Sequence, residues 1–179
     1  GSGGAISLTG SAGNLYALTL ESTLFYSNHA GTDGGALHLG EKGALLIQDV
    51  TFDTNTATSA GGAIASDGAD SLTILASVFQ ANGSGGSGGA WMHRDGLAVA
   101  TANIWLENSS VDGGAVASLN TTGSLSLINN SFVANEAYSA DFFLTQLVSH
   151  HDVDRVQGFQ DALSARGVTL PAVWGVFFY

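Results

Sequence analysis

Apolar residues two positions apart, often with Ser or Thr between them, recur up to about residue 140 and mark short half-buried strands. Leu18, Leu45, Leu72, Ala98 and Leu125 open one such strand, and Leu20, Ile47, Ile74, Ala100 and Leu127 follow two residues on. A second series, Ile6, Leu37, Ile64, Trp91 and Val116, stands three residues after the first glycine of a Gly-Gly-Ala triplet. No helical period appears in this stretch. Between the strands lie Gly, Ser and Asn, the residues of tight turns.

The strands belong to a repeat. Phe25, Phe52, Phe79, Trp105 and Phe132 are 27, 27, 26 and 27 residues apart, and each is followed three positions later by Asn28, Asn55, Asn82, Asn108 or Asn135. The Gly-Gly-Ala triplets begin at Gly3, Gly34, Gly61, Gly88 and Gly113, which are 31, 27, 27 and 25 residues apart. A unit of this length with short strands cannot bury its own apolar side, but stacking copies in parallel and in register does so. The spacing therefore predicts an all-β fold: a parallel β-helix, or β-solenoid, of about five coils of 25–31 residues. Equivalent residues should lie above one another, so the aromatics form one internal ladder and the asparagines a second at a turn. The glycine pairs read as corners where a Cβ would obstruct close backbone approach, not as ligand loops. Gly83–Gly89 lacks the Lys-Ser/Thr and the following helix that a phosphate loop requires.

After Phe132 the rhythm stops, and Asp141-Phe142-Phe143-Leu144 stands where the next triplet is due. Residues 3–140 read as β-helix repeats and 141–179 as a C-terminal cap. Ser149 with Asp152 fits a capping box, and Val153, Val156, Phe159 and Leu163 share one helix face, which predicts a helix over about 150–166. A short strand through Val173–Tyr179 follows. Gly1-Ser2 reads as a cloning scar, and the chain as a piece of a longer protein.

Charge narrows the function. Fifteen acidic residues against four basic ones give a net charge of −11, which argues against phosphate neutralisation and against adhesion to anionic membrane. No apolar run reaches the roughly 20 residues of a bilayer span. With no cysteine, disulfides, zinc–thiolate sites and a Cys nucleophile drop out. The run His150-His151-Asp152-Val153-Asp154-Arg155 has metal-ligand residue types, but no further ligand is identifiable and the aspartates suit a helix N-terminus. No catalytic, cofactor or metal residue is assigned; weak Ca²⁺ binding by acidic turns is the one cofactor reading left open.

One coil departs from the others. Residues 88–112 carry Trp91, Met92, His93, Arg94, Asp95 and Trp105, while the inward positions shrink to Ala98 and Ala100. Trp91, His93, Arg94 and Asp95 are the candidate recognition patch, with the last three expected at a turn. The competing reading is volume compensation, in which two tryptophans fill the space left by two alanines.

The motifs GGAI, GGAL, FYSN, FDTN, FQAN and FVAN resemble the repeats of the polymorphic outer membrane proteins, named for chlamydial surface autotransporters. The resemblance covers about residues 3–138. It implies a right-handed parallel β-helix at a cell surface or outside the cell, and an adhesin or structural passenger role. The implied partners are a host-cell receptor, a surface glycan or another surface protein, with no nucleic acid and no membrane insertion. End-to-end self-association at an uncapped N-terminal coil is a further expectation. The alternative is a polysaccharide lyase or hydrolase on a similar β-helix. That chemistry needs a base or paired carboxylates converging on one face, whereas Lys42, Arg94, Arg155 and Arg166 are spread along the sequence. A flat threonine face for binding ice is not present, since the outward column reads Thr19, Leu46, Thr73, Val99 and Ser126.

Overall fold

The computed structural model describes residues 1–11 and 13–138, together with four two-residue strands beyond them. Backbone contacts divide the chain into Gly1–Tyr138 and Ser139–Tyr179. The first unit is a β-solenoid of about five coils with every inter-coil strand pair parallel. Each coil has three faces. The aromatic face stacks Leu24–Tyr26, Thr51–Asp53, Val78–Gln80, Ile104–Leu106 and Ser131–Val133. A short face stacks His29–Ala30, Thr56–Ala57, Gly83–Ser84, Ser109–Ser110 and Glu136–Ala137. The long face has two segments per coil in coils 1 to 3, for example Ile64–Asp67 and Ser71–Leu75. In coils 4 and 5 these fuse into Trp91–Thr101 and Val116–Ile128.

The register repeats the sequence period. Ile6 pairs with Leu37, Leu37 with Ile64, Ile64 with Trp91 and Trp91 with Val116, steps of 31, 27, 27 and 25 residues. The long first step is an excursion between Leu8 and Tyr16, closed by an antiparallel bridge from Ser11 to Asn14. Inside, Leu37, Ile47, Ile64, Ile74, Phe52 and Phe79 are completely buried. Burying a side chain of this kind contributes about 1.5–3 kcal/mol, so stacking the coils is what stabilises each of them.

The glycine pairs work by close approach. A Cβ on Gly62 would lie 2.0 Å from the Gly89 carbonyl oxygen and 2.6 Å from the Gly83 nitrogen, all backbone of the next coil. Gly35 and Gly89 are in the same position with respect to their own neighbours. The preceding glycines, such as Gly61 at φ +66, are in the left-handed region.

In the second unit, Phe143–Leu144 pairs in parallel with Ala172–Val173, and Val148–Ser149 with Val176–Phe177. These are steps of 29 and 28 residues, close to the coil period. The helix expected over 150–166, and the run His150–Arg155 with its metal-ligand types, lie outside the described residues.

Candidate functional site

The aromatic face carries the most regular side chains. The rings of Phe25, Phe52, Phe79, Trp105 and Phe132 stack in turn with centroids 5.1, 4.8, 4.1 and 5.8 Å apart and planes within 9° of parallel. Phe52, Phe79 and Trp105 have no exposed surface. Three residues on, the asparagines form a continuous hydrogen-bond ladder. The backbone N–H and Nδ2 of Asn55 both donate to Oδ1 of Asn82, at 2.9 Å each, and Asn82 does the same to Asn108. From Asn55 onward each Nδ2 also donates back across the coils, as from Asn82 to the Phe52 carbonyl at 3.0 Å.

This ladder holds a strained corner. The residue before each asparagine, Ser27, Thr54, Ala81, Glu107 or Ala134, has φ between 51° and 57°. A left-handed non-glycine residue costs roughly 1–2 kcal/mol, and the asparagine amide satisfies the backbone groups that this corner turns away from the sheet. A second, shorter ladder sits two residues before the aromatic and was not read from the sequence. Ser77 N–H donates to Asn103 Oδ1 at 2.8 Å, and Asn103 N–H to Asn130 Oδ1 at 3.0 Å. Its signal was weak because the column reads Thr23, Val50, Ser77, Asn103 and Asn130, of which only two residues are alike. These groups bond or stack on their own column, and among the five ladder rings Phe132 is the exposed one, at 43%.

The structure divides the candidate patch of coil 4. Trp91 is fully buried, lies 6.1 Å from Trp105 at an 11° interplanar angle, and donates from Nε1 to Ser66 Oγ at 3.0 Å. His93 is 1% exposed, so neither ring is available as a recognition platform. The expectation that His93 and Arg94 sit at a turn is corrected: both lie in the strand Trp91–Thr101, paired with Ser66 and Asp67. Side chains alternate along that strand, which sends residues 91 and 93 inward with Ile64 and Ser66. The buried Ala98 and Ala100 share the interior with the two tryptophans, the arrangement that volume compensation requires. His93 Nδ1 lies 3.0 Å from Ser66 Oγ. Burial pushes the His93 pKa down; the carbonyls of Gly96 and Ser124 and the carboxylates of Asp95 and Asp67 offset this in part.

Arg94 and Asp95 remain accessible, and they belong to a different constellation. Asp95, at φ 48°, forms a bulge where the register shifts between Arg94 and Gly96. Four residues separate the paired positions Asp67 and Leu72 in coil 3, three separate Arg94 and Ala98 in coil 4, and five separate Leu119 and Leu125 in coil 5. The short corner between two longer ones leaves a notch. The 26-residue step from Phe79 to Trp105 is that missing corner residue.

The notch is a groove of about 670 Å³ whose lining includes Glu41, Lys42, Asp67, Asp70, Arg94 and Asp95. Arg94 Nη1 donates to Asp67 Oδ1 at 2.8 Å, and His38 Nε2 lies 3.3 Å from Asp67 Oδ2. The hydrogen bond from His38, with that from Arg94, holds the Asp67 carboxyl below the usual carboxylate range against the opposing effect of burial. Lys42 Nζ is 3.7 Å from Asp70 Oδ1, with both side chains about half exposed. Lys42 and Arg94 are the only Lys or Arg between residues 1 and 138, and both line this groove although coil 3 separates them in sequence. Sequence reasoning treated them as dispersed; a shared corner 52 residues apart in the chain is visible only once the register is known. Among the described residues, no group of three or more His, Cys, Asp or Glu is arranged to hold a metal ion.

Residues 49–67 match the Chlamydia polymorphic membrane protein (Chlamydia_PMP) repeat. The chain carries that repeat. The matched segment runs from Asp49 through Phe52, Asn55 and the Gly61-Gly62-Ala63 corner to Asp67, one aromatic strand and one glycine corner of the polymorphic membrane protein pattern. No curated protein and no solved structure matches the chain. The repeat and the β-solenoid together fit a surface passenger-type module.

Proposed function

We propose that this solenoid is a non-enzymatic module of a cell-surface or secreted protein, serving as an adhesin or structural passenger and meeting its partner through the outer corner groove. The observation that carries this reading is the fate of the repeat. The chain carries a polymorphic membrane protein repeat whose aromatic and asparagine side chains are spent on stacking coils. A rigid parallel stack of this kind suits display of a surface patch at a fixed distance from an anchor.

The groove also favours binding over catalysis. A general acid needs a carboxyl raised toward neutral pH, and Asp67 is held in the opposite direction by His38 and Arg94. Arg94 in turn is engaged by Asp67. Two experiments test the reading. Antibody labelling of intact source cells should detect the chain at the surface, and the purified chain should bind partner cells. Incubation with polyuronides and neutral polysaccharides should release no unsaturated or reducing ends. Release at enzymatic rates would establish the carbohydrate-active alternative instead.

A further inference from the structure

We propose that the corner groove formed by coils 2 to 5 is a binding site for an uncharged glycan, with Arg94 and Lys42 as hydroxyl-binding donors and Asp70 and Glu41 as acceptors. This deepens the proposed surface role and rests on it only for the biological setting; the binding itself stands or falls separately.

Four features point to this ligand class. The volume lies within the roughly 300–1,000 Å³ of small-molecule sites. The charges are mixed and already paired: four carboxylates face two cations, and each cation has an aspartate partner. Such a lining is net negative, which disfavours sulfated or uronic-acid chains. It offers alternating donors and acceptors, which match vicinal sugar hydroxyls. A hydroxyl both donates and accepts, so it can bridge Lys42 and Asp70, or Arg94 and Asp95, without an ionic charge being buried.

The third feature is the state of Arg94. A guanidinium has five N–H groups, of which Nη1 serves Asp67, and the side chain is 38% exposed in the groove. Its position is fixed from behind, because Asp67 is itself held by His38. A pre-positioned fork loses little freedom on binding. The fourth is an apolar step. Leu97 is 56% exposed at the groove while the inward neighbours Ala98 and Ala100 are buried, so it offers a surface for the C–H face of a sugar ring.

The test is titration calorimetry of the folded chain with neutral gluco-, manno- and galacto-oligosaccharides, and with polygalacturonate and heparin as acidic arms. Binding to at least one neutral class is expected, with affinity unchanged by added salt. Arg94→Ala should weaken it about tenfold, the loss of charge-assisted hydrogen bonds. Leu97→Glu changes an outward side chain and leaves the core intact, so it should abolish binding in a folded protein with an unaltered circular dichroism spectrum. No neutral binding by the wild type, neutral binding unaffected by both substitutions, or binding confined to the acidic arms and lost with salt would each overturn the proposal. Cell attachment by a wild-type chain that binds no glycan would overturn the groove assignment alone. Glycan binding by a chain absent from the cell surface would overturn the surface reading and keep the site.

Discussion

Two corners of the same coil behave in opposite ways. At the corner after the aromatic strand, the same left-handed conformation and an asparagine recur in all five coils, and each asparagine amide bonds the next. At the corner within the long face, the loop length changes from coil to coil, and the charged residues gather there. In the five-asparagine column every member supplies the same amide, and losing a middle one leaves both of its neighbours with unmet hydrogen bonds. The long-face corner has no shared side chain of this kind. Its links between coils, such as Gly68 N–H to the Arg94 carbonyl and Thr122 N–H to Asp95 Oδ1, differ from coil to coil, so its length is free to vary. Regularity therefore marks the parts committed to stacking, and irregularity marks the corner where the charged residues of three coils collect.

That contrast can be broken most directly at the regular corner. Phe79→Ala removes a fully buried ring from between Phe52 and Trp105, and should lower stability by about 4 kcal/mol in urea unfolding. A loss below about 1 kcal/mol would mean that neither the buried area nor the stacking of this ring holds the coils together, since burial alone should contribute about 3 kcal/mol or more. Asn82→Ala should follow at about 3 kcal/mol, since it leaves the Asn55 N–H and the Phe52 carbonyl without their side-chain partner in a buried corner. The same substitution in an end rung, Asn135, which is partly exposed, should cost less.

Acidification gives an intermediate effect that joins the two regions. Burial holds the His93 pKa below the 6.5 of a free imidazole, so the unfolded chain takes up its proton first as pH falls. The stability from a neutral His93 is complete above 6.5 and is lost as pH falls toward the folded value. Asp67 acts with the same sign at lower pH, because its carboxyl is held below 3.8 and its contribution fades as that range is crossed. Unfolding midpoints between about pH 7 and pH 5 should drop in the wild type and stay nearly level in His93→Asn, which cannot titrate there. The smallest effect belongs to the groove rim. Lys42→Ala breaks a half-exposed pair and should change stability by no more than about 0.5 kcal/mol, while weakening ligand binding measurably.

The fold was legible because the 27-residue spacing and the alternation around Leu45, Ile47, Leu72 and Ile74 both describe one stacked coil. Trp91 and His93 were harder. Their residue types suit a surface patch, and only the pairing of Trp91 with Ile64 shows that they continue an inward column. The groove was invisible for a simpler reason. Lys42, Asp67 and Arg94 lie in three different coils, and no local pattern connects them.

The sequence by itself determined the parallel solenoid, the coil length and the register, because a repeated chain must bury a repeated apolar side against its own copy. Tertiary structure alone decided which polar residues face outward together. That depends on one- and two-residue differences in corner length, which barely disturb the repeat yet reposition every side chain around the corner. Here the register with Ile64 and Ser66 made Trp91 and His93 core, and the shortened corner that follows them left Arg94 lining one groove with Lys42.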